Sequence, residues 1–412
     1  MTAVRTRLAA GVLATTAVLV AVGCGGGSSS TSSGTTASTT AKSTKPIVIG
    51  AAIDQTALMS SFDGPALAAA QLEANKINAA GGVDGRKIEF KVENTQLKPD
   101  RTKAAASDLI NQGVDVLWVT CDVDFATPAI QQGLAAKKLT ISPCIGTDQM
   151  GPQRFGSAGE LAFTYGNVAQ DEGSAVAQLA IKHGWKTASV VTDKQIVYSV
   201  NVCKSFTKKF EELGGKVLDQ ESWTQGDHTV GNVVSRVNGK KAQTIALCTT
   251  TSPDLPTFVS GIRGDGNNAP IIGAWELDGA YWLPKNPKVS NNIWLTTYAS
   301  VYGDDPEAQV KDLIAKLKAE GKPPATGGFV TGAAAVDGIV AAIKQSGGST
   351  DGKTLADAMA KFQNLKTISG NVSFTPELHS VYGREYRIIH IQNGKPKFDS
   401  LLKAPGLANI SS

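Results

Sequence analysis

The chain has little of what catalysis and metal binding usually draw on. Its 412 residues include four histidines and five cysteines. There is no His-Glu-x-x-His pair and no Gly-x-Ser-x-Gly elbow, which excludes zinc-peptidase and serine-hydrolase chemistry of those types. No Cys-x-x-Cys pair occurs and no histidine neighbours a cysteine, which argues against a structural zinc. The paired acids Asp122 and Asp124 have no evident base or nucleophile beside them. No motif requires a cofactor, and an enzyme is not expected. Charge of one sign is also scarce: the formal net charge is +4, and taking away residues 1–23, with Arg5 and Arg7 and no acid, leaves +2. Without a basic stripe, nucleic acid is not an expected partner. Beyond the N-terminal run, no second long apolar segment is read, so the rest is expected to be soluble.

What is present begins at the N-terminus. Arg5 and Arg7 precede an apolar run from Leu8 to Val22, shorter than the ~20 residues that span a bilayer, with Ala21-Val22-Gly23 directly before Cys24. This is the architecture of a secretory signal, residues 1–23. A cysteine at the cleavage point resembles the lipobox of bacterial lipoproteins, with Ala21 in place of the usual Leu; Cys24 would then be acylated and hold the chain to the membrane. Residues 25–45 are almost all Gly, Ser, Thr and Ala and read as a flexible tether. The expected location is extracytoplasmic, on the bacterial cell membrane.

From Lys45 onward, short β-type runs alternate with helical ones. Strands are expected at 47–53, 87–93, 114–119 and 139–142, with helices at 64–80, 100–112 (capped by Asp100) and 126–137. Leu67, Leu72 and Ile77 are core positions of the first helix. The pattern restarts with helices near 170–183, 199–213, 229–238 and from 254, and strands at 187–192, 216–222, 244–248 and 270–275. Late helices at 307–320 and 329–345 and β-type segments at 371–374 and 384–392 complete it. Strands separated by helices imply right-handed βαβ units and mainly parallel sheets, here in two α/β domains. The late pieces must return to one domain or the other, which makes the domains discontinuous. With Cys24 set aside, four cysteines in an exported chain suggest two disulfides, with three possible connectivities. Cys121–Cys144 and Cys203–Cys248 are favoured, because each pair falls near the ends of neighbouring strands within one half.

The segment Ile77-Asn78-Ala79-Ala80-Gly81-Gly82-Val83-Asp84-Gly85-Arg86-Lys87-Ile88 is similar to a helix end and turn of type I periplasmic solute-binding proteins, the branched-chain amino acid receptor family. Lys98-Pro99-Asp100, Ile141-Ser142-Pro143, Asp193-Lys194 before Tyr198, Gly226-Asp227 and Gly370-Asn371-Val372-Ser373-Phe374 match in order and spacing. The resemblance runs from about Ile47 to Phe398. It implies a two-lobed fold, each lobe a mainly parallel sheet flanked by helices, joined by three crossovers. By it, lobe one takes residues 46–167 and 297–374, and lobe two 168–296 and 375–405. The chain would be a monomer that captures a small polar solute, an amino acid or amide, and delivers it to an ABC permease. An extracellular sensor of the same fold is the alternative; an export signal in place of a DNA-binding headpiece excludes a transcription factor.

The expected ligand contacts sit on strand-end loops. In lobe one these are Gln55–Phe62 at the rim, the loop Thr120-Cys121-Asp122-Val123-Asp124-Phe125, and Cys144-Ile145-Gly146-Thr147 with the Thr147 hydroxyl. Where amino-acid receptors carry a Gly- and Ser-rich loop for the ligand carboxylate, this chain has two aspartates, which repel an anion at a helix N-terminus. Asp122 or Asp124 either caps the helix or faces a cationic or hydroxyl-rich ligand. In lobe two, Tyr198 matches a family ligand contact, Thr249 to Thr251 offer hydroxyls, Glu276 lies where receptors hold an ammonium, and Trp275 would supply a wall. Asp227 and His228 read as loop residues, and His183, His379 and His390 as surface or packing.

Overall fold

The computed structural model describes residues 44–250 and 254–410. The signal segment, Cys24, nearly all of the tether and Thr251 lie outside the described residues.

The first half alternates β1 (Ile47–Ile53), α1 (Ser60–Ala79), β2 (Ile88–Asn94), α2 (Pro99–Asn111), β3 (Val116–Val119), α3 (Val123–Ala135), β4 (Leu139–Ser142), the single turn α4 (Pro152–Phe155) and β5 (Ala162–Thr164). The strands form one parallel sheet in the order β2-β1-β3-β4-β5. Every residue of β3 and β4 is buried. Sheets covered on both faces require this; β3 accordingly reads as an unbroken apolar run, while β4 buries Thr140 and Ser142 beside Leu139 and Ile141. The edge strand β2 is half-exposed and alternates instead. Gly50 lets β1 pass under α2: a Cβ there would come within 2.8 Å of Val114.

The chain continues through α5 (Ala169–Lys182), β6 (Thr187–Asp193), α6 (Val197–Glu212), β7 (Lys216–Trp223), α7 (Val230–Lys240), β8 (Thr244–Cys248), α8 (Asp254–Gly264), β9 (Ile271–Gly273) and β10 (Ile293–Thr297). After α9 (Ala308–Ala319), α10 (Val330–Gln345), α11 (Gly352–Met359) and the small antiparallel pair β11 (Leu365–Thr367) and β12 (Gly370–Val372), it ends with β13 (Glu385–Gln392) and β14 (Lys395–Lys403). The second sheet has the order β14-β13-β10-β9-β8-β6-β7. Its members β6 to β10 are parallel, and β13 and β14 add antiparallel. Because α9, α10 and α11 return to the first sheet's helices and strands, the chain passes between two lobes three times.

Several details depart from expectation. Asp100 is not the cap of α2; Lys98 holds that position and Pro99 opens the helix, since a proline at the first turn gives up no hydrogen bond. The helix expected at 126 begins at Val123, capped by Asp122. The strand expected over 270–275 stops at Gly273 and turns into one 3-10 turn, Trp275–Leu277. Of the three core positions in α1, Leu67 is buried while Leu72 and Ile77 are half-buried. A second apolar stretch of membrane-spanning length does exist, Gly327–Gln345, and it is buried protein core. There α10 lies on α1 so closely that a Cβ on Gly332 would sit 1.9 Å from the Ala66 carbonyl oxygen. Both favoured disulfides, Cys121–Cys144 and Cys203–Cys248, are present.

Candidate functional site

Strand order reverses at one point in each sheet, between β1 and β3 and between β6 and β8. Open α/β sheets bind ligands outside the carboxyl ends of strands at such points, and here both sets of ends face one cleft.

Local hydrogen bonds shape each loop. After β1, the Asp54 carboxylate accepts the N–H groups of Thr56, Ala57 and Met59 at 3.0, 2.8 and 2.9 Å. That turn presents Met59 and Phe62. The buried Asp63 ties this loop to the end of β3 by accepting the Asp54 and Cys121 N–H groups at 2.9 and 2.8 Å and the Thr120 hydroxyl. Burial pushes its carboxyl up to about 7 despite those bonds. After β4, the Ser142 hydroxyl accepts the Cys144 and Ile145 N–H groups at 3.3 and 3.1 Å, and the Cys121–Cys144 bond links the two loops. In lobe two, Asp193 at the end of β6 accepts the Thr249 hydroxyl at 3.0 Å and the Gln225 amide at 2.9 Å.

Between the loops lies a cavity of about 30 Å³, room for little more than one water. Met59, Phe62, Cys121, Asp122 and Gly146 line it from lobe one, and Ile196, Tyr198, Thr250, Trp275 and Glu276 from lobe two. A solute of amino-acid size enters only if the lobes part. The lobes touch through aromatic rings: Trp275 meets Phe62 edge-on at 4.9 Å between centroids and tilts against Tyr298 at 5.4 Å. Gly146 makes room for the ring of Tyr198, whose Cε2 would stand 2.5 Å from an added Cβ.

Carboxylates dominate the electrostatics. Glu172 of α5 accepts the hydroxyls of both Tyr198 and Tyr298, and burial holds its pKa well above the usual range. Glu276 is 3% exposed, and among the described residues no well-formed hydrogen bond reaches either carboxylate oxygen. The Tyr198 hydroxyl and nearby backbone N–H groups lie close enough to lower its pKa somewhat, yet burial outweighs them and pushes it up to about 8. The Asp122 carboxyl is raised to about 7, by burial first and by the adjacent Asp124 second.

Of the residues expected at the ligand, Asp122, Tyr198, Trp275 and Glu276 come together on the cavity wall, with Thr250 and, from the expected rim and loop, Met59, Phe62 and Gly146. Four others are engaged elsewhere. Thr120 bonds Asp63, the Thr147 hydroxyl meets Asp148 at 3.2 Å, and Thr249 bonds Asp193. Asp124 pairs with Arg154 at 2.8 Å and accepts the Val197 N–H at 2.9 Å. Asp122 is both a wall residue and the cap of α3, accepting the Asp124 and Phe125 N–H groups at 2.9 and 3.1 Å. Sequence reasoning did not single out Ile196, Glu172 or Tyr298. The signal for Glu172 was weak, since an acid in the first turn of a helix ordinarily faces water. His379 stacks on Phe163 and His390 on Trp294, both as packing.

Two other features attract attention and fail as sites. A wider hollow of about 750 Å³ lies between α1, α9 and the β11–β12 pair. It is away from the strand ends, and Lys76 and Lys316 there already pair with Glu73 and Asp312. The spacing Gly-x-x-x-x-Gly-Lys-Thr of a phosphate loop occurs at Gly347–Thr354. It follows the helix α10 instead of a strand, Asp351 already accepts the Thr354 N–H at 2.9 Å, and Lys353 pairs with Asp357. A phosphate would meet that aspartate, not free N–H groups.

Comparison with known proteins agrees with this geometry. The leucine-, isoleucine-, valine-, threonine- and alanine-binding protein of Pseudomonas aeruginosa is 23% identical over 308 residues, covering 74% of this chain and 80% of the relative. The branched-chain amino acid transporter substrate-binding protein LivJ of Streptococcus pneumoniae, solved with isoleucine, superposes with a TM-score of 0.75 at 20% identity, covering 87% of this chain and 99% of that one. A solute-binding protein of an ABC transporter from Rhodopseudomonas palustris, solved with 3,4-dihydroxybenzoic acid, gives 0.72 at 19% identity, covering 88% and 98%. At such identities these two structures speak for the fold. The family model described as periplasmic binding protein matches residues 46–396, and with two lobes closing on a cavity at their strand ends, the chain belongs to the periplasmic binding protein family.

Proposed function

We propose that the chain is an extracytoplasmic substrate-binding lipoprotein that captures a small polar solute between its lobes and delivers it to the permease of an ABC transporter. The observation that carries this reading is Glu276, buried at the cavity wall with no well-formed hydrogen bond to either oxygen among the described residues. Such a group costs about 1–3 kcal/mol or more when left unsatisfied, and an incoming donor removes that cost. Asp122, Tyr198, Trp275 and Glu276 are the contacts assigned to the ligand, an amino acid or amide in size. Residues 46–167 with 297–374 form one lobe and 168–296 with 375–405 the other, hinged at the three crossovers. Contacts from both lobes reach the ligand only when the lobes meet, so binding favours the closed form, which the permease recognises. The signal is residues 1–23, Cys24 carries the lipid, and the protein acts as a monomer on its tether.

Thermal shifts of the mature chain against amino acids, amides, amines, sugars and aromatic acids test this. A ligand at 100 times its dissociation constant stabilises by about 2.7 kcal/mol, and Tyr198→Ala and Glu276→Ala should each weaken the hit. A folded protein with no hit anywhere would overturn the reading. Cys24→Ser should move the protein from the membrane to the soluble extracytoplasmic fraction, and retention at the membrane would sink the anchor.

A further inference from the structure

An amino acid needs its carboxylate held as well as its ammonium, and the helix N-termini beside this cavity are those of α3 and α6. The protein's own acids already sit at both. Asp122 accepts the first free N–H groups of α3, from Asp124 and Phe125. Asp124 reaches across the cleft and takes the Val197 N–H that opens α6. A ligand carboxylate brought to either helix would displace, or lie against, a like charge.

The wall itself is acidic. Among the described residues that line the cavity, the acids are Asp122 and Glu276, with no Lys, Arg or His. Glu172 lies just behind Tyr198. The buried cation of this region, Arg384, sits over the Tyr298 ring at 4.6 Å from its centroid and donates to the Tyr165 carbonyl at 3.0 Å. It offsets Glu172 and does not line the cavity. Against this acid excess stand the aromatic faces and edges of Phe62, Tyr198 and Trp275, with Tyr298 behind Trp275. Buried aromatic rings around a carboxylate suit a positive group on an apolar body.

We propose that the solute is an organic cation without a carboxylate: an amine whose ammonium meets Glu276 and whose apolar part lies against Phe62, Tyr198 and Trp275. This assignment rests on the solute-receptor reading above and narrows it. Relatives that bind amino acids share the fold, and the case for a cation rests on this chain's own Asp122, Asp124 and Glu276.

Six probes of matched skeleton test it by calorimetry on the mature chain: leucine, isoamylamine and 4-methylpentanoate, then phenylalanine, phenethylamine and 3-phenylpropionate. Each amine should bind at least tenfold tighter than its amino acid, and the acids should give no heat. Glu276→Gln should cut amine affinity at least tenfold while its melting temperature does not fall below that of the unaltered protein. Asp122→Ser keeps a good helix cap and removes the charge, so amino-acid affinity should rise and the gap narrow. Equal or tighter binding of leucine or phenylalanine by the unaltered protein overturns the cation and leaves the receptor reading standing. So does binding of either acid. No heat from any probe, together with silence in the broad thermal panel, overturns both.

Discussion

The Asp124 carboxylate joins the lobes: one oxygen pairs with Arg154 at 2.8 Å, and the other accepts the Val197 N–H at 2.9 Å across the cleft. A carboxylate at a helix N-terminus is worth about 1 kcal/mol, and this one exists only while the lobes are together. Asp124→Ala should therefore weaken ligand binding roughly fivefold, through the open–closed equilibrium and without touching the ligand. Titration calorimetry measures it, and unchanged affinity would show that the contact does not bias closure.

Gly146 offers a steric counterpart. An added Cβ would stand 2.5 Å from Cε2 of Tyr198 and 3.2 Å from the Asn167 carbonyl oxygen. Gly146→Ala keeps lobe one intact and holds Tyr198 away. Its affinity should fall by roughly an order of magnitude, about 1.4 kcal/mol, with far-UV dichroism unaltered. Wild-type affinity would mean that Tyr198 need not seat there.

The buried acids set a pH dependence whose sign is fixed. Burial raises Glu276 from 4.5 to about 8 and Asp122 from 3.8 to about 7, and Asp63 and Asp337 reach about 7 as well. The folded chain therefore holds protons that the unfolded chain has released between about pH 4 and pH 8, so stability falls as pH rises through that window. The groups facing Glu276 are Tyr198 from α6, Glu172 from α5, Asp193 after β6 and Asp122 across the cleft. None is a cation. Glu212, Asp227 and Asp351, whose pKa values are lowered, act the other way at the low end of this window, and His379 and His390, lowered from 6.5 by burial, oppose the acids only below about pH 6.5. The ligand-free melting temperature should drop by several degrees from about pH 6 to about pH 8.5, and Glu276→Gln should flatten the slope. A melting temperature that rises with pH would contradict it.

The two disulfides should separate stability from binding. Cys121–Cys144 closes 23 residues and Cys203–Cys248 closes 45, and each stabilises by about 2–4 kcal/mol in the loop-entropy account. Replacing either pair by serines should lower the melting temperature. Only the first pair should also change ligand affinity, because Cys121 lines the cavity and Cys203 and Cys248 do not. Equal effects on binding would argue that both act through general loosening.

Strands β1, β4 and β8 fall where the short β-type runs placed them, at Ile47–Ile53, Leu139–Ser142 and Thr244–Cys248. A strand buried on both faces announces itself locally. The strands β5, β10 and β14 and the helix α11 escaped notice. In β14 the residues Lys395–Lys403 are mostly exposed and charged, and they form a strand because β13 offers a free edge. That partner is a fact of the fold, not of the segment.

The site divides in the same way. The order of strands, the family-like turns and the two aspartates after β3 are written in the chain and point to a strand-end cleft with an acid excess. What the tertiary structure alone decided is the work of each acid: Asp122 caps α3, Asp124 spans the lobes, Glu172 lies under two tyrosines, and Glu276 is buried with no well-formed hydrogen bond among the described residues. Burial and hydrogen-bond supply come from Phe62, Tyr198, Trp275 and Tyr298, far apart in sequence. No local pattern brings those residues together; only the packing of one lobe on the other does.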